Sequence, residues 1–465
     1  MTRAVRAHLV ALAVALHLAA ATEEAVAQDD AASGEALARM DEVPAELTLE
    51  TALEIARARS PAHARVLNDA GPASARVRAG WGALLPGIDA SMSVSGSDAR
   101  RVTGEDDFGE PVRLPEPFEF QSSSSTQRVG LDLTLFDGGA NWNRLGSARA
   151  SERATGARIA GSWVAVAAAV ERSYWDIVRA DLLAGLEERL LVAARERLDA
   201  TEQRLRVASV SPVDVLGARV DVATQELALE TSRGNARKAR LALLEVIGLG
   251  GEASFEASTE PPAVFDPSAL DPAAVVGRAV RANPAVLEAT AAVEATEEDA
   301  DAARGDWWPR LSASLALSRG VSVGSYDALT EFTPENRTLS FGLSASLPIF
   351  DRFQRSERTS AANAAADDAW QDRRATALRV ERGVREALMD LRNAHRAVLL
   401  AEQAAALSAE RLELQQELFA LGSVQFTDLQ RVIEEAAAQE RRAVNARYDF
   451  ERARVTLEER VGAPE

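Results

Sequence analysis

Cysteine is absent from the 465 residues, which removes disulfides, thiolate metal sites, thiol nucleophiles and a lipid-modified cysteine in one step. Histidine is scarce. Of four, His8 and His17 fall within the first 27 residues, and His63 and His395 stand far apart, so metal or triad chemistry has almost no material. No catalytic residue, metal ligand or cofactor site is therefore assigned. Basic charge is in deficit, with 52 Lys and Arg against 71 Asp and Glu and a net charge of −19. Nucleic acid, which needs basic stripes to displace its counterions, is not an expected partner. After the N-terminus no segment approaches 18 uninterrupted apolar residues, and the longest lies near 163–170, so no inner-membrane helix is expected.

What is present begins with Arg3 and Arg6, an apolar stretch from Leu9 to Ala21, and the small residues Ala25-Val26-Ala27. That order reads as a secretory signal peptide over 1–27, followed by an N-terminal extension over 28–46. A membrane anchor is the alternative, and the stretch is short for a bilayer span. The mature chain is expected to leave the cytoplasm.

The chain then repeats itself. Ser60-Pro61 recurs as Asn283-Pro284 and Leu84-Leu85-Pro86 as Trp307-Trp308-Pro309, 223 residues on, as 284 is from 61. Leu135-Phe136-Asp137 recurs as Ile349-Phe350-Asp351, and 207–216 (VASVSPVDVL) as 421–430 (LGSVQFTDLQ), 214 residues on, as 428 is from 214. Landmarks in the same order mark a tandem duplication. The first repeat is set at 47–250, a linker at 251–270, and the second repeat at 271–462. The change in separation falls inside 97–127, a stretch with no period, several prolines and four consecutive serines, which reads as a longer loop.

Segments of period two flank that loop and its counterpart. Ile88, Ala90, Met92 and Val94 alternate with polar residues, as do Val129, Leu131, Leu133 and Leu135; so do Leu311, Ala313, Leu315 and Leu317, and Leu339, Phe341, Leu343, Ala345 and Leu347. Strands are predicted at about 86–97, 127–136, 309–319 and 338–350. Soluble hairpins packed on helices are one reading. Lipid-facing strands are the other, because the polar faces are small and Ser-rich and each segment can cross a bilayer at a tilt. Four strands cannot close a membrane barrel, so several chains would share one.

Between the strands the sequence is helical on an unusual scale. No proline occurs from Gly139 to Ser211, and 352–421 repeats that pattern, so each is predicted as one helix of about 100 Å followed by a returning helix, the hairpins spanning 139–247 and 352–461. Val213, Leu216, Val220, Ala223 and Leu227 step by three and four residues, with Leu241 and Leu244 in register, which predicts a coiled-coil seam. Rods of this length must pack against other rods.

The quoted repeat falls at the two hairpin tips. Ser211-Pro212-Val213-Asp214 reads as an N-cap, a proline at the first helical position and an acidic residue completing a capping box, whereas Gln425 is a poorer cap and Gly422 a helix stop. With the duplication, the strand pairs and the tip Ala208-Ser209-Val210-Ser211-Pro212-Val213-Asp214-Val215-Leu216, similar to G-x-x-S-x-x-D-x-L, the chain from about Leu47 to Gly462 resembles the TolC-like outer membrane efflux proteins. The resemblance implies a mainly α fold with a membrane β-barrel portion. It implies a homotrimer with a 12-stranded barrel in outer membrane lipid and a 12-helix tunnel through the periplasm, serving as a passive exit duct for a periplasmic membrane-fusion adaptor and an inner-membrane pump of RND or ABC type. It further implies a periplasmic aperture at Asp214, Asp428 and Arg431, and adaptor contact through Val207, Ala208, Ser209, Val210, Ser211, Leu421, Gly422, Ser423 and Val424. The family's second aspartate is replaced by Arg431, and the tyrosine and arginine of its closed-state lock by Phe419 and Val424. Helix capping is the competing role for both aspartates. Competing functions are a periplasmic coiled-coil scaffold without a barrel, and an enzyme on a coiled-coil stalk, for which no convergent titratable groups are visible.

Overall fold

The computed structural model describes residues 45–105, 111–206, 210–251, 255–257, 263–323, 337–421 and 423–462. The expected signal peptide and nearly all of the extension lie outside the described residues. In chain order the elements are β1 (Glu46–Leu47), α1 (Leu49–Arg59), α2 (Pro61–Leu67), α3 (Ala70–Gly82), β2 (Gly87–Glu105), β3 (Pro111–Phe136), α4 (Ala140–Arg206), α5 (Pro212–Ile247), β4 (Glu256–Ala257), α6 (Pro272–Ala282), α7 (Pro284–Gly305), β5 (Arg310–Val323), β6 (Arg337–Ser346), α8 (Gln354–Ala420) and α9 (Phe426–Val461). The duplication is kept at the element bounds. Both outgoing helices have 67 residues and both returning helices 36. The halves differ where α2 and α3 stand for the single helix α7: Pro72 has no N–H, and in an unbroken helix its ring would collide with the carbonyl of Asn68, whereas Ala295 at the matching position lets α7 run through.

Two compact units divide the chain. One takes in residues up to Asn68, Ala157–Val286 and those from Ala377; the other takes in Asp69–Gly156 and Leu287–Thr376. In the first unit, α1, α4 and α5 bury Ile55, Val170, Ile177, Leu243 and Ile247 together with Tyr448. A second cluster joins Ala279 of α6 and Val384, Leu388, Leu391 and Val398 of α8 to Phe450 and Leu457 of α9. The short strands β1 and β4 pair in parallel, which puts a strand inside the stretch read as linker. Buried Glu187 of α4 accepts a fork from Arg441 of α9 at 2.6 and 2.9 Å, which satisfies a carboxylate that is otherwise costly to bury. Exposed pairs such as Arg195–Glu226 and Arg411–Glu435 add little.

Each returning helix ends on a left-handed glycine, Gly248 (φ 78°) and Gly462 (φ 84°). A Cβ on Gly248 would lie 2.3 Å from the Arg59 carbonyl oxygen, so both the conformation and the space exclude a side chain. Gly248→Ala is expected to cost about 2 kcal/mol or more, summing left-handed strain and the clash. Gly250→Ala, in open space, serves as control. Equal thermal midpoints for the two variants in detergent would contradict the assignment.

The second unit carries one antiparallel sheet in the order β2-β3-β5-β6. The expected loop over 97–127 is corrected by the structure: β2 runs to Glu105 and β3 begins at Pro111, paired through Ser97↔Ser122 and Arg100↔Glu119 to Glu105↔Pro111. Ladder hydrogen bonds do not require an apolar alternation, and a Ser-rich ribbon still forms them. Pro115 and Pro117 fall in the register shift between Arg101 and Thr103, where no ladder N–H is needed. β6 ends at Ser346, ahead of Pro348, and so stops short of the expected 350. The repeated Phe-Asp landmarks prove to be helix entries. Asp137 Oδ2 accepts from Asn141 N at 3.0 Å and Asp351 Oδ2 from Arg355 N at 2.9 Å. Both are followed by left-handed pairs, Gly138-Gly139 in the first half and, against their usual preference, Arg352-Phe353 in the second.

Candidate functional site

Two features of the chain face outward without a partner of their own, and the first is the sheet. Its register puts Ile88, Leu131, Leu315 and Phe341 in one row and Ala90, Val129, Leu317 and Leu339 in the next, all on one face. These side chains are exposed or half-exposed, Phe341 to 89% and Leu343 to 75%. The opposite face holds Asp89, Ser91, Arg128, Asp132, Ser314 and Ser344, as the alternation predicts. Neither β2 nor β6 has a strand on its outer edge. Among the described residues no helix is long and apolar enough to cross a membrane.

The second feature is the pair of helix seams. The predicted seam on α5 is divided: Leu244 is buried in the first unit's core, and the rest of the stripe is not covered. Val213, Leu216, Val220, Leu227 and Leu241 are exposed, Val213 to 71%, while along the same part of the helix Val215, Ala218 and Leu229 are buried. A sequence period identifies an apolar stripe but not what covers it. On α8 a matching stripe recurs every seven residues at Leu400, Leu407 and Leu414 and continues at Leu421 just past the helix end, again exposed. Sequence reading missed it. No residue of α8 beyond Val398 is buried.

At the hairpin tips the two motif aspartates have different surroundings. Asp214 closes a capping box: Ser211 Oγ accepts from Val213 N at 3.2 Å, and Asp214 Oδ2 accepts from Ser211 N at 2.9 Å. Its carboxylate is thereby held on its own helix. Gln425 gives α9 no side-chain cap, and the Asp428 carboxylate lies instead 3.8 Å from Arg431, with both side chains exposed. Ser423 N donates to Leu418 O at 2.9 Å where α8 ends. Val207, Ala208, Ser209 and Gly422 lie outside the described residues.

The tips meet through aromatics. Arg204 of α4 sits over the Phe419 ring at 4.7 Å, and Phe419 and Phe426 have ring centroids 6.2 Å apart. A cleft of about 780 Å³ opens among Arg204, Val210, Asp214, Phe419, Val424 and Phe426. Asp214 lines it and Asp428 does not. Arg204 and Phe426 escaped sequence reading, since a cation–π contact between helices far apart in the chain leaves no local pattern. Closer to the rods, Asp221 is pushed up by burial, opposed by Arg197, whose own value burial lowers. Among the described residues no group of three His, Asp or Glu side chains is placed to hold a metal ion.

Comparison with known proteins agrees with this architecture. A model of the outer membrane efflux protein family matches residues 52–249 and 275–463, one block in each repeat. The cobalt-zinc-cadmium resistance protein CzcC of Cupriavidus metallidurans is 26% identical over 52% of this chain and 54% of its own length. Protein CyaE of Bordetella pertussis is 27% identical over 69% of this chain and 64% of its own. The chain thus spans less than two thirds of either relative. In fold, it is similar to a membrane protein from Pseudomonas aeruginosa, with a TM-score of 0.74 at 20% identity over 89% of this chain and 90% of that one.

Proposed function

The chain belongs to the outer membrane efflux protein family, and from that premise we propose that it is the exit duct of a tripartite export system, passive and driven by an inner-membrane pump through a periplasmic adaptor. The sheet carries the reading. An apolar face exposed along its length, a polar face of small residues and two open edges suit a portion of a membrane barrel. We take the assembly to be a homotrimer. Eight strands from two chains would close a barrel whose interior side chains fill, whereas twelve leave a lumen. The open seams on α5 and α8 then pair between neighbouring copies, as the strand edges do.

The tips are read as the periplasmic end of the duct. Asp428, released from capping duty and paired with Arg431, is assigned to the aperture; Asp214 is assigned to the cap that shapes the first tip. The tip residues 207–211 and 421–424 are the proposed adaptor contact. A wide conduit does not select its cargo, so the metal resistance named for CzcC is one option beside drugs and polypeptides, with either an RND or an ABC pump behind it. Fractionation tests the reading against a periplasmic scaffold. The protein is expected to stay with outer membranes through a high-salt wash and to leave them only in detergent, and release by salt would exclude the membrane sheet.

A further inference from the structure

One contact between the two repeats is made inside the chain, and its repeat-related counterpart is not. After β3, the turn from Asp137 to Ala140 lies against the corner that joins α7 to β5: Ala140 and Gly305 are both buried, and a Cβ on Gly305 would lie 3.0 Å from that of Ala140. Both partners recur. After β6, Gln354 N donates to Asp351 O at 3.3 Å, as Ala140 N donates to Asp137 O at 3.4 Å; before β2, Leu85 N donates to Gly82 O at 3.0 Å, as Trp308 N donates to Gly305 O at 3.0 Å. Yet Gln354 and Gly82 are exposed, and a Cβ on Gly82 would meet nothing within 4 Å. Ile349 is 92% exposed against 53% for Leu135, and Phe350 71% against 42% for Phe136. The turn after β6 and the corner before β2 are two halves of a contact that one chain cannot close, because they lie at opposite edges of the sheet.

We propose that a second copy of this chain closes it, with β6 pairing to the neighbour's β2 in the register that β3 keeps with β5. This rests on the reading of the sheet as part of a shared barrel. The repeat separations carry the pair Val129↔Leu317 to Leu343 and Val94, Leu131↔Leu315 to Ala345 and Met92, and Phe136↔Leu311 to Phe350 and Ile88. Every pair so formed joins side chains of the outward apolar face, as register requires where one face meets lipid. The joint is head to tail, and repeated round a ring it leaves no free strand edge. Arg352 stands where the first half has Gly138, and a Cβ on Gly138 would lie 2.4 Å from Gly305 O, so the turn between chains sits wider at that point than its template.

The chain has no cysteine, so paired substitutions in the full protein report the register without background. Directly opposed residues alternate along a strand between a closer and a wider kind, so the variants Leu343→Cys/Val94→Cys and Ser344→Cys/Ser93→Cys between them include one pair of the closer kind, within disulfide reach. In outer membranes oxidised with copper phenanthroline, at least one of these variants is expected to shift on a denaturing gel from the mass of one chain to the masses of two and three, and to return with reductant. The slipped pairs Leu343→Cys/Met92→Cys and Ser344→Cys/Ser91→Cys, about 7 Å apart on the diagonal, are expected to stay at one. Bridging by the slipped pairs instead would overturn the register. Absence of bridging in all four, in protein that keeps the mass of three chains in mild detergent, would overturn the junction and leave the trimer standing. Unaltered protein with the mass of one chain would overturn both.

Discussion

Extracted in mild detergent, the protein is expected to have the mass of three chains, and the paired seam variant Leu407→Glu/Leu414→Glu to have the mass of one. Both leucines lie on the exposed stripe of α8, which with Val213, Val220, Leu227 and Leu241 of α5 provides eight large apolar side chains at each proposed interface. Burying such a side chain fully yields about 1.5–3 kcal/mol. Since each is already part-covered, roughly 1 kcal/mol apiece gives about 8 kcal/mol for one interface. Association costs on the order of 4–15 kcal/mol, so the seams alone are marginal and the strand ladders between β6 and the neighbouring β2 must add to them. Two glutamates per chain would then be buried unpaired three times over in a closed ring. A helical circular-dichroism signal equal to wild type would show that the hairpins still fold. A stable monomer of the unaltered protein would refute the shared barrel, because open strand edges in lipid leave backbone groups unsatisfied at several kcal/mol each.

Much of this arrangement is legible in the sequence, for reasons that differ from element to element. The duplicated hairpins announce themselves because a proline-free helix of this length has few alternatives, and Ser211-Pro212-Val213-Asp214 encodes its own cap locally. The strands at Ile88–Val94 and Val129–Leu135 are visible because one face is apolar. Their extension through Ser97 and Ser122 is not, since a ribbon polar on both faces has no period to detect. The apolar period on α5 is legible as a seam, but which of its residues are covered is not: Val213 to Leu227 and Leu241 stay exposed while Leu244 is buried. Contacts such as Arg204 over Phe419, and the bidentate Glu187–Arg441 pair, join positions whose proximity depends on the packed helices.

Asp428 and Arg431 are expected to move cation block in opposite directions. Only Asp428 of the two motif aspartates is free of its helix cap, and it is exposed beside an exposed arginine. Three copies around a pore would add their fields. For a trivalent cation about 8 Å from each carboxylate in water, Coulomb's relation gives about 1.6 kcal/mol per carboxylate, or about 5 in total. Screening at physiological salt leaves roughly a third of that, which still corresponds to about tenfold in half-blocking concentration. Arg431, one turn away, offsets part of it. In planar-bilayer recordings with a trivalent cation added on the tip side, Asp428→Ala should therefore raise the half-blocking concentration by up to about tenfold, and Arg431→Ala should lower it severalfold. Asp214→Ala is the contrasting variant: it removes a capping box, costs about 0.5–2 kcal/mol of local stability, and should leave block unchanged. A response to Asp214→Ala equal to that of Asp428→Ala would mean that the two carboxylates share the pore and that the distinction drawn from their hydrogen bonds fails. If neither substitution alters block, the narrowest point of the duct lies away from the tips.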